Sequence, residues 1–272
     1  MAASVGPVQA GPIISDLSDP AAQRLADVAK PSHNNAKTAV VEDLEPLLHA
    51  IAAGVEFIEL LADSTRPVPT ELLQACQDSG LGLRQIDPAL TKRIFKTDKQ
   101  PKVFGIVRTP RPARLSQLLN RPGDLVVLDG VRIVGNIGAI VRSAAALGAA
   151  GVVLVDSQLS TVADRRLLRA SRGLVFSLPV VIATADQVAT FLQQNQIPAV
   201  VLDAHGDTRL YQLSQRPERL ALVFGSERSG PSQGLGRLAQ VTVSIPMSPL
   251  AESLNVSVSV GITLQARAAA QA

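Results

Sequence analysis

The chain has 272 residues, 46% hydrophobic and 18% charged, enough for one large domain or two ordinary ones and too apolar for a disordered chain. One cysteine, Cys76, and three scattered histidines, His33, His49 and His205, exclude an internal disulfide and a cysteine/histidine zinc site, so no metal is expected. Six Phe, one Tyr and no Trp leave few stacking platforms for nucleic acid, and the net charge is only +3.

No basic, apolar leader opens the sequence and no run has the length of a bilayer span, so no membrane partner is expected. With reduced cysteine, this points to a cytoplasmic protein.

Residues 1–18, rich in Ala, Gly, Pro and Ser, read as a flexible tail. Asp19-Pro20-Ala21 has the form of a cap with proline at the first helical position, opening a helix to about Lys30. A polar, basic stretch, Lys30 to Thr38, precedes an apolar segment. Helical patterns follow at 43–53, 70–79 and 88–95, and strand patterns at 55–60, 83–86 and 103–107. Together these make a small α/β domain over residues 19–108. The segment from Lys92 to Arg114 is basic, with Lys92, Arg93, Lys96, Lys99, Lys102, Arg108, Arg111 and Arg114 against Asp98 alone. Charge by itself does not choose between a solvated loop and a phosphate-contacting segment.

Residues 109–121, with Thr109-Pro110-Arg111-Pro112, read as a linker. A second domain over 122–272 alternates buried strands with helices. Strands are expected at 125–129, 151–156, 179–183, 199–203, 220–224 and 241–245, and helices at 136–147, 162–172, 186–195 and 253–269. Continuous Val/Leu/Ile runs alternating with helices predict a parallel sheet buried on both faces.

Three blocks of small and polar residues lie near the ends of apolar runs, where open α/β sheets hold ligands. They are Asn136-Ile137-Gly138-Ala139-Ile140-Val141-Arg142, Phe224-Gly225-Ser226-Glu227-Arg228-Ser229-Gly230, and Ile245-Pro246-Met247 through Ser253-Leu254-Asn255-Val256-Ser257. Familiar nucleotide and hydrolase signatures fail here. The turn Gly130 to Gly138 does not match Gly-x-Gly-x-x-Gly, and neither a Walker loop nor a Gly-x-Ser-x-Gly elbow occurs.

In order and content these blocks resemble the three motifs of the SpoU/TrmH group of SPOUT methyltransferases. Lys30-Pro31-Ser32, the Phe104-Gly105-Ile106 strand and the stretch from Ala163-Asp164-Arg165-Arg166 to Ser171-Arg172-Gly173 narrow the resemblance. They are similar to the thiostrepton/nosiheptide-resistance methyltransferases of actinomycetes, from about Asp19 onward. The resemblance implies a carboxyl-terminal SPOUT domain with a parallel sheet and a deep trefoil knot, an amino-terminal RNA-binding domain like ribosomal protein L30e, and a homodimer. It also implies S-adenosylmethionine as cofactor and 23S rRNA as partner. The reaction would be 2′-O-methylation of an adenosine in the GTPase-associated region, which protects against thiopeptide antibiotics. Another RNA, such as tRNA, and a catalytically silent RNA-binding protein are the rivals.

Residue roles follow from the same resemblance. Arg142 would be catalytic, although a guanidinium that stays protonated suits orienting the hydroxyl better than accepting its proton. On the residues alone it is a helix-surface arginine. Asn136, Glu227, Ser253 and Asn255 would complete the catalytic group, while Asn136, Ser253 and Asn255 also suit helix caps and Glu227 a salt bridge. Leu202, Phe224, Gly225, Ser226, Ile245, Pro246 and Leu254 would hold the cofactor. Gly225 has its own physical argument, since a missing side chain lets a ligand approach backbone. Arg24, Lys30, His33, Lys92, Lys96, Lys102, Arg165 and Arg172 would contact RNA, the last two from one face of a helix.

Overall fold

The computed structural model describes residues 12–30, 37–97, 100–226 and 230–271. The chain divides into two units, Met1–Arg111 and Pro112–Ala272.

In the first unit the order is α1 (Pro20–Val28), β1 (Thr38–Glu42), α2 (Leu44–Ala52), β2 (Phe57–Asp63), α3 (Thr70–Ser79), β3 (Arg84–Ile86), α4 (Pro88–Phe95) and β4 (Val103–Arg108). The sheet runs β1-β4-β2-β3. β4 is antiparallel to both neighbours and β2 is parallel to β3. As expected, Asp19 caps α1, accepting from the Ala21 amide at 2.8 Å, with Pro20 at the first helical position. Asp87 and Pro88 repeat the device at α4. β1 is the strand that the apolar segment after Lys37 did not announce. β2 begins two residues later than expected because the Val55 amide still bonds the Ala50 carbonyl and closes α2.

Part of the expected tail is docked. Ile14 is 2% exposed and joins the core that includes Leu25, Ile86 and Phe104. Its amide bonds Gln85 and its carbonyl accepts from Asp87, both at 2.9 Å, beside β3. Burial of one large aliphatic side chain and two backbone bonds corrects the reading of residues 12–18 as free.

The second unit contains β5 (Leu125–Asp129), α5 (Val134–Ala146), β6 (Gly151–Val155), α6 (Arg165–Ala170), β7 (Val180–Ile182), α7 (Ala185–Gln194), β8 (Ala199–Leu202), β9 (Thr208–Arg209), α8 (Leu210–Ser214), β10 (Ala221–Gly225), α9 (Gln233–Gly236), β11 (Ala239–Ser244) and α10 (Val256–Gln271). The sheet order is β7-β6-β5-β10-β8-β11-β9, and every pairing is parallel. β5, β6 and the first four residues of β10 are fully buried, as their unbroken aliphatic runs require. Two late strands enter between earlier ones: β10 between β5 and β8, and β11 between β8 and β9. Residues 109–121 are not extended throughout. Leu115–Asn120 form a 3-10 turn whose Leu118 is fully buried in the core of this unit.

The last helix is fixed by a buried ion pair. Arg267, 2% exposed, donates from Nε to Asp124 Oδ2 at 2.7 Å and from Nη2 to Oδ1 at 3.0 Å. Its remaining donors reach the carbonyls of Leu213 (3.0 Å), Glu218 (2.8 Å) and Arg216. Asp124 Oδ1 also accepts from the Leu220 amide at 2.9 Å. The pair is thus desolvated but fully satisfied, the condition under which a buried charge is tolerated.

Arg267→Met leaves the Asp124 carboxylate buried with one donor fewer in each direction, and is expected to cost about 3–5 kcal/mol in urea unfolding. A loss under about 1 kcal/mol would show that the pair does not anchor the helix. A second expectation concerns acid. The hydrogen bond from Arg84 (2.7 Å) holds the Asp19 carboxyl below its ordinary value of 3.8. A depressed folded value means stability that is full above 3.8 and lost as pH falls through the lower value. Asp19→Asn is therefore expected to flatten the acid limb of the urea-midpoint curve below about pH 4.

Candidate active site

A cleft of about 400 Å³ opens at the carboxyl ends of β8, β10 and β11. Leu202, Phe224, Val243, Ile245, Met247, Leu254 and Val256 form its apolar walls, with Gly225, Ser226 and Gly230 along one side. Asp203, His205, Glu252, Ser253 and Ser259 add polar groups. Of the expected cofactor residues, Leu202, Phe224, Gly225, Ser226, Ile245 and Leu254 line the cleft. Pro246 is not among the wall residues and is exposed.

The polar wall carries information that the sequence did not yield. Asp203 and Glu252 bring two carboxylates, and the imidazole of His205 stands beside the first, its Nδ1 3.6 Å from Asp203 Oδ1 and its side chain largely exposed. Asp203 also shapes its own loop, accepting from the His205 amide at 2.8 Å. These residues follow strands in loops without periodicity, so no pattern singled them out.

Asn136 does not cap α5. The helix begins at Val134 with Ile133 at the cap position, which places Asn136 at the third helical residue. Its Oδ1 accepts instead from Asn255 Nδ2 at 3.3 Å, joining the first and third motifs across 119 positions. Asn255 is the cap of α10: its Oδ1 accepts from the Ser257 amide at 2.8 Å and from Ser257 Oγ at 2.6 Å. Ser253 lies on the cleft wall, two residues before the cap.

Arg142 is exposed near the middle of α5 and makes no hydrogen bond or ion pair among the described residues. One turn earlier, Gly138 allows α5 to meet the end of α6. A Cβ there would fall 2.3 Å from Ala170 Cβ and 2.6 Å from the Ala170 carbonyl carbon. Glu227 and His33 lie outside the described residues.

Arg165 and Arg172 do not share a helix face. α6 ends at Ala170, and Arg172 adopts φ 52°. The Gly173 amide bonds the Leu168 carbonyl at 2.9 Å and the Arg172 amide bonds Arg169 at 3.2 Å, a Schellman closure with arginine in the left-handed position where glycine is usual. Asp164 caps the helix amide of Arg166 at 2.8 Å and takes two bonds from its guanidinium. Burial pushes the Asp164 carboxyl up, but these bonds outweigh it and hold it below the ordinary range.

In the first unit Arg24, Lys30, Lys92, Lys96 and Lys102 are all exposed. Arg24 pairs with Glu59 at 3.0 Å and Lys30 with Asp27 at 2.7 Å. Lys96 ends α4 in the left-handed conformation, at φ 52°. Among the described residues no group of three or more acidic, histidine or cysteine side chains could hold a metal ion, and no helix is long and apolar enough to cross a membrane.

Gly225 is required, but for a different close approach from the one expected. A Cβ there would lie 2.1 Å from the Gly230 carbonyl carbon and 2.2 Å from the Pro231 nitrogen. The chain's own backbone, folded back after β10, occupies that space.

Residues 124–265 match the SpoU rRNA Methylase family, and residues 11–121 match the amino-terminal domain of thiostrepton-resistance methylase. A 23S rRNA (adenosine(1067)-2′-O)-methyltransferase of Streptomyces azureus is 52% identical over 254 residues, 93% of this chain and 94% of the relative. Its namesake from Streptomyces laurentii is 53% identical over 94% and 95% of the two chains. Among solved structures, the SpoU methyltransferase AviRb of Streptomyces viridochromogenes, in complex with AdoMet, is similar at a TM-score of 0.77. It is 26% identical, with 93% of this chain and 98% of that chain covered.

Gly225→Ala is expected to push the Gly230–Pro231 backbone off its seat and weaken ligand binding in the cleft at least about tenfold, as measured by titration calorimetry. Unchanged binding would show that the loop relaxes at no cost to the cleft.

Proposed function

Because the chain belongs to the SpoU rRNA methylase family, we propose that it transfers a methyl group from S-adenosylmethionine to the ribose 2′-hydroxyl of an adenosine in 23S rRNA. The target lies in the GTPase-associated region, and methylation there confers resistance to thiopeptides of the thiostrepton type. Identity of 52–53% along nearly the whole length of two adenosine 2′-O-methyltransferases carries the reading, because it spans both units. The amino-terminal match supports the choice of target over tRNA.

The cleft suits the cofactor. Its volume falls within the range of small-molecule sites, about 300–1,000 Å³. Leu202, Phe224, Ile245 and Leu254 offer apolar surface to a purine, and Asp203 and Glu252 offer negative charge to a cationic ligand. S-adenosylmethionine, when bound, supplies an electrophilic methyl group on positively charged sulfur. Transfer to the 2′-oxygen would release S-adenosylhomocysteine, with the hydroxyl proton passing to water or a substrate phosphate.

The protein's share is alignment and charge. A guanidinium has donors and no acceptor, so Arg142 donates to the acceptor oxygen or to a neighbouring phosphate and steadies developing negative charge. Asn136 and Asn255, joined at 3.3 Å, set the first turn of α5 relative to the start of α10. From its place in the second motif, Glu227 completes the catalytic group. Arg165 and Arg172, with Arg24, Lys30, His33, Lys92, Lys96 and Lys102, contact RNA phosphates.

The enzyme works as a homodimer in the cytoplasm. Exposed apolar side chains at the start of α5 and along α10, Ile133, Val258 and Ile262, support a partner on that face. A trefoil knot agrees with the late entry of β10 and β11 into the sheet.

The test is methyl transfer from labelled S-adenosylmethionine to a transcript of the GTPase-associated region. Incorporation should vanish with a 2′-deoxy substitution at the target adenosine, whereas incorporation into tRNA alone would overturn the target. Arg142→Ala is expected to lower kcat about 100- to 1,000-fold. Its stability should stay within about 0.5 kcal/mol, because the side chain has no partner among the described residues.

A further inference from the structure

Asp129 ends β5 in the middle of the sheet, in register with Gly225 of β10. It is 4% exposed, yet neither cleft nor motif makes use of it. Its Oδ2 accepts from the backbone amide of Ser232 at 2.6 Å, and its other oxygen has no donor among the described residues. A carboxylate in such a place costs free energy unless its hydrogen bond returns something specific.

What it holds is the far end of the turn that follows β10. That turn folds back on itself: the Gly230 amide bonds the Ser226 carbonyl at 3.0 Å, Gly230 takes φ 63°, and Gly225 leaves room for the returning backbone. Beyond Ser232 the short α9 seats Leu235 in the core. The turn is therefore closed at its near end by two glycines and at its far end by Asp129. Ser226 and Gly230 lie on the cleft wall.

We propose that Asp129 is a positioning residue for the methyl-donor site, latching the returning backbone at residues 230–232 through the Ser232 amide so that Gly225, Ser226 and Gly230 keep the shape of the cleft wall. The proposal rests on the reading of the cleft as the S-adenosylmethionine site. A charge-assisted bond to a backbone amide is short and strong, and it acts on the backbone whatever side chains the turn carries. Substituting Asp129 should therefore alter affinity for the donor while leaving the RNA-binding unit as it is.

The bond can be broken from either end. Asp129→Ala removes the acceptor. Ser232→Pro removes the donor at a residue whose φ of −60° already suits proline. Asp129→Asn keeps an acceptor oxygen without the charge. Calorimetric titration of the full-length chain with S-adenosylmethionine, alongside KM for donor and for rRNA transcript, gives the readout. Asp129→Ala and Ser232→Pro are each expected to raise Kd and KM for the donor about tenfold or more, with KM for the transcript unchanged. The double variant should be little worse than either single one, and Asp129→Asn should lie between them and the parent. If Asp129→Ala does not fold, the other two variants still decide. Donor affinity within about twofold of the parent in folded Ser232→Pro and Asp129→Asn would overturn the latch. A parent chain that does not bind S-adenosylmethionine would sink the cofactor reading itself, and the latch with it.

Discussion

The second unit depends on Arg267 meeting Asp124. One residue belongs to the last helix and the other stands just before the first strand, 143 positions earlier. Both are buried, and the guanidinium spends its fixed fork on one carboxylate and three carbonyls. Lysine could not make that set of bonds. With α10 held there, its amino-terminal end is placed as well: Asn255 caps the helix and reaches Asn136, while Leu254, Val256 and Ser259 close one wall of the cleft. A charge pair far from the cleft thus fixes which loops face each other across it.

Glycine and small residues then let these loops approach. Gly138 brings α5 against α6, and Gly225 makes space for the turn that returns over β10. Asp129 and Asp124 flank the same strand, and each takes a backbone amide from a segment about 100 positions away. Carboxylates at the two ends of β5 thereby tie down loops that hydrophobic burial alone would leave free to slide.

Much of this could be read from the chain. Aliphatic runs such as Leu125–Asp129 and Gly151–Val155 declare buried parallel strands, and Asp19-Pro20 and Asp87-Pro88 declare helix starts. Errors came where a local signal had two meanings. Asn136 looks like a cap, but Val134 and Gly135, both weak helix formers, already belong to the helix. Arg172 continues an arginine-rich helical pattern, yet Gly173 draws the chain into a left-handed exit one residue early. β1 gives no sequence signal because its Ala-Val-Val centre is too short to show a period. In the site, the apolar walls followed from strand ends and the family motifs. Asp203, His205 and Glu252 did not, since loop side chains converge only once the strands are ordered. The pairing of Asn136 with Asn255 is of the same kind: two polar residues 119 positions apart have no local reason to meet.

The place of β10 in the sheet has a consequence for how the protein comes into being. β5 and β8 flank it, and both are synthesised before it. Until residue 225 has left the ribosome, the two inner edges that will face β10 carry unpaired amides and carbonyls on largely apolar strands. An incomplete chain can build β5, β6 and β7 side by side, but it holds an open seam where the cleft will form. The nascent protein therefore has to keep that seam from closing on itself or on a neighbour, and the final strands must enter a gap already framed on both sides. Such an assembly order is slow and exposes adhesive edges for as long as it lasts. The cleft wall made by Leu254, Val256 and Ser259 is complete only once the last helix has docked.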